Sequence, residues 1–152
     1  MIPPKAQSPI QKKGERRLTF FFGGTKKGLM KFAIALASVF GLLSVVLGAL
    51  GAHALKKILD AAQLASWETG VRYQLAHALA LLAVGLLLER GMNLKPTLVL
   101  FTVGTVLFSG SIYLLCLKVG PGVILGPLTP IGGLLLTAGW GWMLYAALSF
   151  SS

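Results

Sequence analysis

Four long apolar runs constrain this chain more than any other feature. Phe32–Ala52, Leu98–Leu117 and Pro130–Phe150 contain no charged residue, and Val71–Leu88 contains only Arg72. Each run falls in the range of roughly 17–25 residues that crosses a hydrocarbon core. Lipid offers no partner to an open backbone, so spanning runs of this length form helices. The expected fold is therefore an all-α membrane protein. It is an antiparallel four-transmembrane-helix bundle over 29–152, with spans at about 32–52, 71–88, 98–117 and 130–150. An interfacial helical segment precedes the second span.

Charge supports this reading. Only 12% of the residues are charged, against about 25% in soluble domains. A formal charge of +10 could suggest a nucleic-acid binder, but its distribution excludes that class. Eight basic residues precede the first apolar run, whereas 119–152 carry no charge. Basic residues beside a span set topology and attract anionic lipids. The expected partners are thus the bilayer, anionic lipids at the basic N-terminus, and a second copy or another membrane protein.

Residues 1–28 hold three prolines and seven of those basic residues, and read as a disordered basic tail. Met30-Lys31 directly precedes span one and reads as an alternative start. A signal peptide is the competing reading, with Ala52-His53-Ala54 as cleavage site. The 21 residues of Phe32–Ala52 exceed the roughly 7–15 of a signal h-region, which favours a retained helix.

Small residues mark two helix faces. Ala37, Gly41, Ser44, Gly48 and Gly51 form one narrow stripe at ~100° per residue, and Gly133, Thr137 and Gly141 form another. Both are expected to pack closely against neighbours. Asp60 and Gln63 have capping-box spacing, so a helix starts at Ala61 and runs towards Glu89, either unbroken or bent near Gly70. Trp67 and Glu68 would lie outside the core or at its edge. Thr129 reads as the N-cap of span four with Pro130 in its first turn, which leaves Val123–Leu125 in a loop. Trp140, Trp142 and Tyr145 read as an interfacial aromatic belt.

The residues able to do chemistry are few. Glu68 and Arg72 are spaced for a helical ion pair, which would anchor the interface or line a solute path. Tyr73 and His77 lie on roughly the opposite face. His77 is expected to bond across to another span, with His53 or a hydroxyl of span three as partner. Thr102, Thr105, Ser109, Tyr113 and Cys116 give span three a hydroxyl-lined face. Glu68, Cys116, His53 and His77 lack metal-ligand spacing, so no metal or cofactor is expected. No catalytic motif is present, and the chain does not read as an enzyme.

Several segments together resemble a known family. They are Leu47-Gly48-Ala49-Leu50-Gly51-Ala52-His53; Trp67-Glu68-Thr69-Gly70 leading to Tyr73-Gln74 and His77-Ala78-Leu79-Ala80; Gly104 to Tyr113; and Thr129-Pro130-Ile131-Gly132-Gly133 with Gly139-Trp140. In this order and spacing they are similar to the YgdD-like inner-membrane proteins, called domain of unknown function 423 and related to the transmembrane protein 256 proteins of animals. The resemblance implies a small multi-pass protein of a bacterial inner membrane and supplies no activity.

An even number of spans puts both termini on one side. With the eight early basic residues, Arg90 and Lys95 inside, and Lys56, Lys57, Arg72 and Lys118 outside, that side is the cytoplasm. The functional expectation is a non-enzymatic accessory or assembly component. The alternative is a small-solute or proton conduit, formed as an oligomer from span three's hydroxyl face with Glu68, Arg72 and His77.

Overall fold

The computed structural model describes residues 26–150. Among these residues are four α-helices, α1 (Lys26–His53), α2 (Ala61–Glu89), α3 (Lys95–Cys116) and α4 (Gly122–Leu148), with a 3-10 turn over Leu55–Lys57. All four are long and apolar enough to cross a membrane. The expected all-helical, four-span architecture is the one observed. Most of the basic tail lies outside the described residues, but Lys26–Gly28, assigned to it, form the first turn of α1.

Local chemistry explains the helix ends. Asp60 accepts from Gln63 N at 2.8 Å while Gln63 Oε1 accepts from Asp60 N at 3.1 Å, so the capping box is complete. From it α2 runs unbroken to Glu89. Gly91, at φ 98°, turns the chain into α3, where glycine adopts the left-handed region without strain. Lys118 (φ 55°) and Gly120 (φ 88°) do the same between α3 and α4.

The start of α4 differs from expectation. Val123–Leu125 is helical, Pro121 takes the N-cap position, and Pro127 and Pro130 lie inside the helix. Proline cannot donate to the carbonyl four residues back, yet membrane helices accommodate this through local adjustment and other donors. Thr129 is therefore no cap. Its hydroxyl meets Ser111 Oγ at 2.7 Å.

Successive helices pack in pairs, α1 on α2, α2 on α3 and α3 on α4. Their short connections make neighbours antiparallel. Small residues set the approach. A Cβ at Gly51 would sit 2.9 Å from Trp67, and Ala37 and Ser44 are buried on the same side of α1. Gly48 makes ordinary contact with Val71 at 3.5 Å, whereas Gly41 faces open space.

On α4 the close-packed row is Gly132, Leu136 and Gly139, not the Gly133, Thr137, Gly141 stripe. A Cβ at Gly132 would collide with the backbone nitrogen of Phe108, and one at Gly139 would lie 2.6 Å from the Phe101 ring. Leu136 fills the space left by Gly104. Gly133 only touches Phe108 at 3.7 Å, Gly141 has nothing within 4 Å, and Thr137 is exposed. Both rows carry two glycines, so composition alone does not orient the helix.

Packing also fixes relative heights. Gly48 is level with Val71, Gly85 with Ala33, and Gly70 with Ile112 and Tyr113. Lys31 and Lys56 bracket the apolar run of α1, and Lys95 and Lys118 bracket that of α3. By these pairings the midpoints of both brackets come level with residues 75–76 of α2, close to the midpoint of Asp60 and Glu89.

Candidate functional site

The inward face of α2 carries most of the interior polar chemistry. Trp67, Gly70, Gln74, His77, Leu81, Val84 and Leu88 are buried, at alternating spacings of three and four residues, the register of a helix seam. Its first half is polar and bonds to neighbours. Its second half is aliphatic and joins Ala33, Ala37, Phe40, Leu98, Phe101 and Leu136 in the main core.

Each polar position reaches another helix. Trp67 Nε1–H donates to Leu47 O at 2.9 Å. Ser109 Oγ–H donates to Gly70 O at 2.9 Å. Gln74 Nε2–H donates to Phe40 O at 3.0 Å while its Oε1 accepts from Tyr113 O–H at 3.0 Å, so one amide ties α1, α2 and α3. Cys116 Sγ–H donates to Gln63 O at 3.3 Å. In lipid such bonds average about 0.6 kcal/mol and reach about 1.7 kcal/mol. Their directionality adds a fixed register.

His77 lies in the aromatic part of this seam, 5% exposed. Its Nδ1 is 2.8 Å from Tyr73 O, and a carbonyl only accepts, so Nδ1 carries the proton. Nε2 is then a bare acceptor for Trp140 Nε1–H at 3.2 Å. This geometry defines a neutral Nδ1–H tautomer. The ring meets Phe101 edge-on at 5.1 Å and lies 6.2 Å from Tyr73. His77 does bond across to another span, but its partner is Trp140 of α4. His53 is exposed at the far end of α1, and Thr102, Ser109, Ser111 and Tyr113 of α3 bond elsewhere. Trp140, half exposed, turns its indole N–H inward to His77, whereas Trp142 bonds Asn93 O at 3.0 Å in the turn between α2 and α3 and packs on Tyr145.

The hydroxyl face of α3 is closed off. Ser109, Tyr113 and Cys116 bond to α2 as above, and Thr102 bonds its own helix at Leu98 O. Thr105, 2% exposed, has the one buried side-chain oxygen or nitrogen among the described residues without a partner. A cavity of about 460 Å³ opens beyond this face, lined by Gln63, Ser66, Thr69, Ile112, Cys116 and Thr129 among others. The hydroxyls of Ser66 and Thr69 are bonded to carbonyls of their own helix. Among the described residues no three His, Cys, Asp or Glu side chains come together as a metal site.

Glu68 and Arg72 do not join this cluster. Both are exposed on the outward face of α2, opposite the seam that holds Gln74 and His77. Arg72 lies three to four residues from the level of the bracket midpoints, or ~5 Å at ~1.5 Å per residue. A charge near the centre of a helical span costs about 2.5–3.5 kcal/mol by insertion. The expected grouping of Glu68, Arg72, His77 and the hydroxyls around one path is thus split between two faces. Sequence reasoning also passed over Gln74, the hub of the seam. The three–four spacing through Trp67, Gly70, Gln74, His77 and Leu81 was the available signal.

A helical polytopic membrane protein, its interior polar groups turned chiefly to joining helices, is the class these features define. The chain belongs to the family described as "Protein of unknown function (DUF423)", whose model matches residues 47–133. A UPF0382 membrane protein of Schizosaccharomyces pombe is 48% identical over 112 residues, covering 71% of this chain and 94% of the relative. The UPF0382 inner membrane protein YgdD of Escherichia coli K12 is 37% identical, covering 78% of this chain and 90% of the relative. A UPF0382 membrane protein of Staphylococcus haemolyticus is 38% identical, covering 80% and 98%. No solved structure matches the chain. The family resemblance read from the sequence segments therefore holds, and these names carry no activity.

Proposed function

We propose that this protein is a non-enzymatic accessory or assembly component of its membrane. It acts by packing an outer face against another membrane protein or a second copy of itself. The observation that carries this reading is the closure of the interior. Ser109, Tyr113, Gln74 and His77 are bonded to neighbouring helices and not directed into an open path. The conduit reading has less support, because its proposed lining sits on opposite faces of α2.

The proposed setting is a bacterial inner (cytoplasmic) membrane, by likeness to the E. coli relative, with both termini cytoplasmic. The end of the bundle that carries Lys26, Lys27, Lys31, Arg90 and Lys95 then faces the anionic lipids of the cytoplasmic leaflet.

Liposomes carrying the purified protein test the choice between the readings. Their permeability to protons and small neutral solutes is expected to equal that of protein-free liposomes. A protein-dependent flux that His77→Leu abolishes would overturn the proposal.

A further inference from the structure

Arg72 is the charged group that the bundle itself leaves unexplained. Among the described residues no hydrogen bond or ion pair engages it or Glu68, and both are exposed on the outward face. The Cα of Arg72 lies three to four residues from the level where the α1 and α3 brackets have their midpoints, and a slab centred there has it ~5 Å from the centre of a core that extends ~15 Å to either side. Side chains lean toward the N-terminus of their helix, which carries the guanidinium toward the level of Glu68 but leaves it within the core. Ionised groups at such depth face protein or water and not lipid. Leu79, 62% exposed, continues the same face two turns below Arg72. A protein partner on this outward face of α2 would shield both charges from lipid.

We propose that the partner is a second copy of this chain, related by a twofold axis along the bilayer normal. The charges select that occupant. A twofold interface brings one patch against itself, so the patch must complement itself. An acid and a base one turn apart at similar depth do so, since Glu68 of each copy meets Arg72 of the other. The second copy is one case of the partner proposed above and depends on that reading.

Oxidative cross-linking in membranes tests this with the full chain in a Cys116→Ala background. Copies carrying Leu79→Cys are expected to form disulfide dimers, and copies carrying Thr137→Cys, on the exposed face of α4, to remain monomeric. Glu68→Arg and Arg72→Glu are each expected to lower the Leu79→Cys dimer fraction at least tenfold. Co-expression of the two single variants should restore it as a mixed pair, and the double reversal should restore it alone. Unchanged cross-linking in the single variants, or no rescue by co-expression, would overturn the proposal. Cross-links at Thr137→Cys only, or Leu79→Cys adducts with a different protein, would also overturn it while leaving the proposed function standing. Monomers without any adduct at either position would overturn both.

Discussion

The indole Nε1–H of Trp140 donates to Nε2 of His77 at 3.2 Å, and this bond joins α4 to the polar seam of α2. Because Nδ1 of His77 is committed to Tyr73 O, the imidazole serves as an acceptor toward Trp140. A proton added at Nε2 would set two donors face to face and break the link. The histidine thus has a complete structural role in its neutral form.

That role predicts a modest energetic coupling. His77→Leu and Trp140→Phe should each lower stability in mild detergent, with a coupling energy near 0.6 kcal/mol in a double-mutant cycle and below about 2 kcal/mol. Reversible unfolding followed by circular dichroism measures it. A coupling indistinguishable from zero would remove the bond from the account.

Gln74 should be the more sensitive position. Gln74→Leu strands the Tyr113 hydroxyl in the core, and an unsatisfied buried polar group costs about 1–3 kcal/mol. Gln74→Leu/Tyr113→Phe should recover part of that loss. The same unfolding assay decides it, and a double variant that loses the full sum of the two singles would contradict the bond.

The α3–α4 contact predicts a sharp difference between neighbouring glycines. Gly132→Ala drives a methyl group into the Phe108 backbone and should cost about 1–3 kcal/mol. Gly141→Ala, with open space around it, should leave monomer stability unchanged. Thermal aggregation midpoints of the two purified variants compare them, and equal effects would show the packed row to be misassigned.

Topology follows from the recount of basic residues. The N-terminal side of the bundle carries ten Lys and Arg and the opposite side Lys56, Lys57 and Lys118, with Arg72 between them on α2. A reporter fused after Ser152 should be active only in the cytoplasm. Activity restricted to the external face would reverse the orientation.

The spans were legible because uncharged runs of that length have one physical solution in lipid. The start of α2 was legible because Asp60 and Gln63 make a complete local signal. The rotation of α4 was not, since Gly132 and Gly139 look no different in sequence from Gly133 and Gly141 until Phe108 and Phe101 lie against them. The pairing of His77 with Trp140 was equally hidden, because it depends on where a fourth helix lands. The level of Arg72 relative to its neighbours was hidden as well, because it depends on how α1 and α3 lie against α2.

Native mass spectrometry of the protein extracted gently from its own membrane tests the central claim most directly. The account predicts that the chain leaves the membrane bound to a second copy or to another membrane protein, with that association lost in Arg72→Glu. A chain that emerges only as a monomer, from membranes in which it is fully folded, would contradict it.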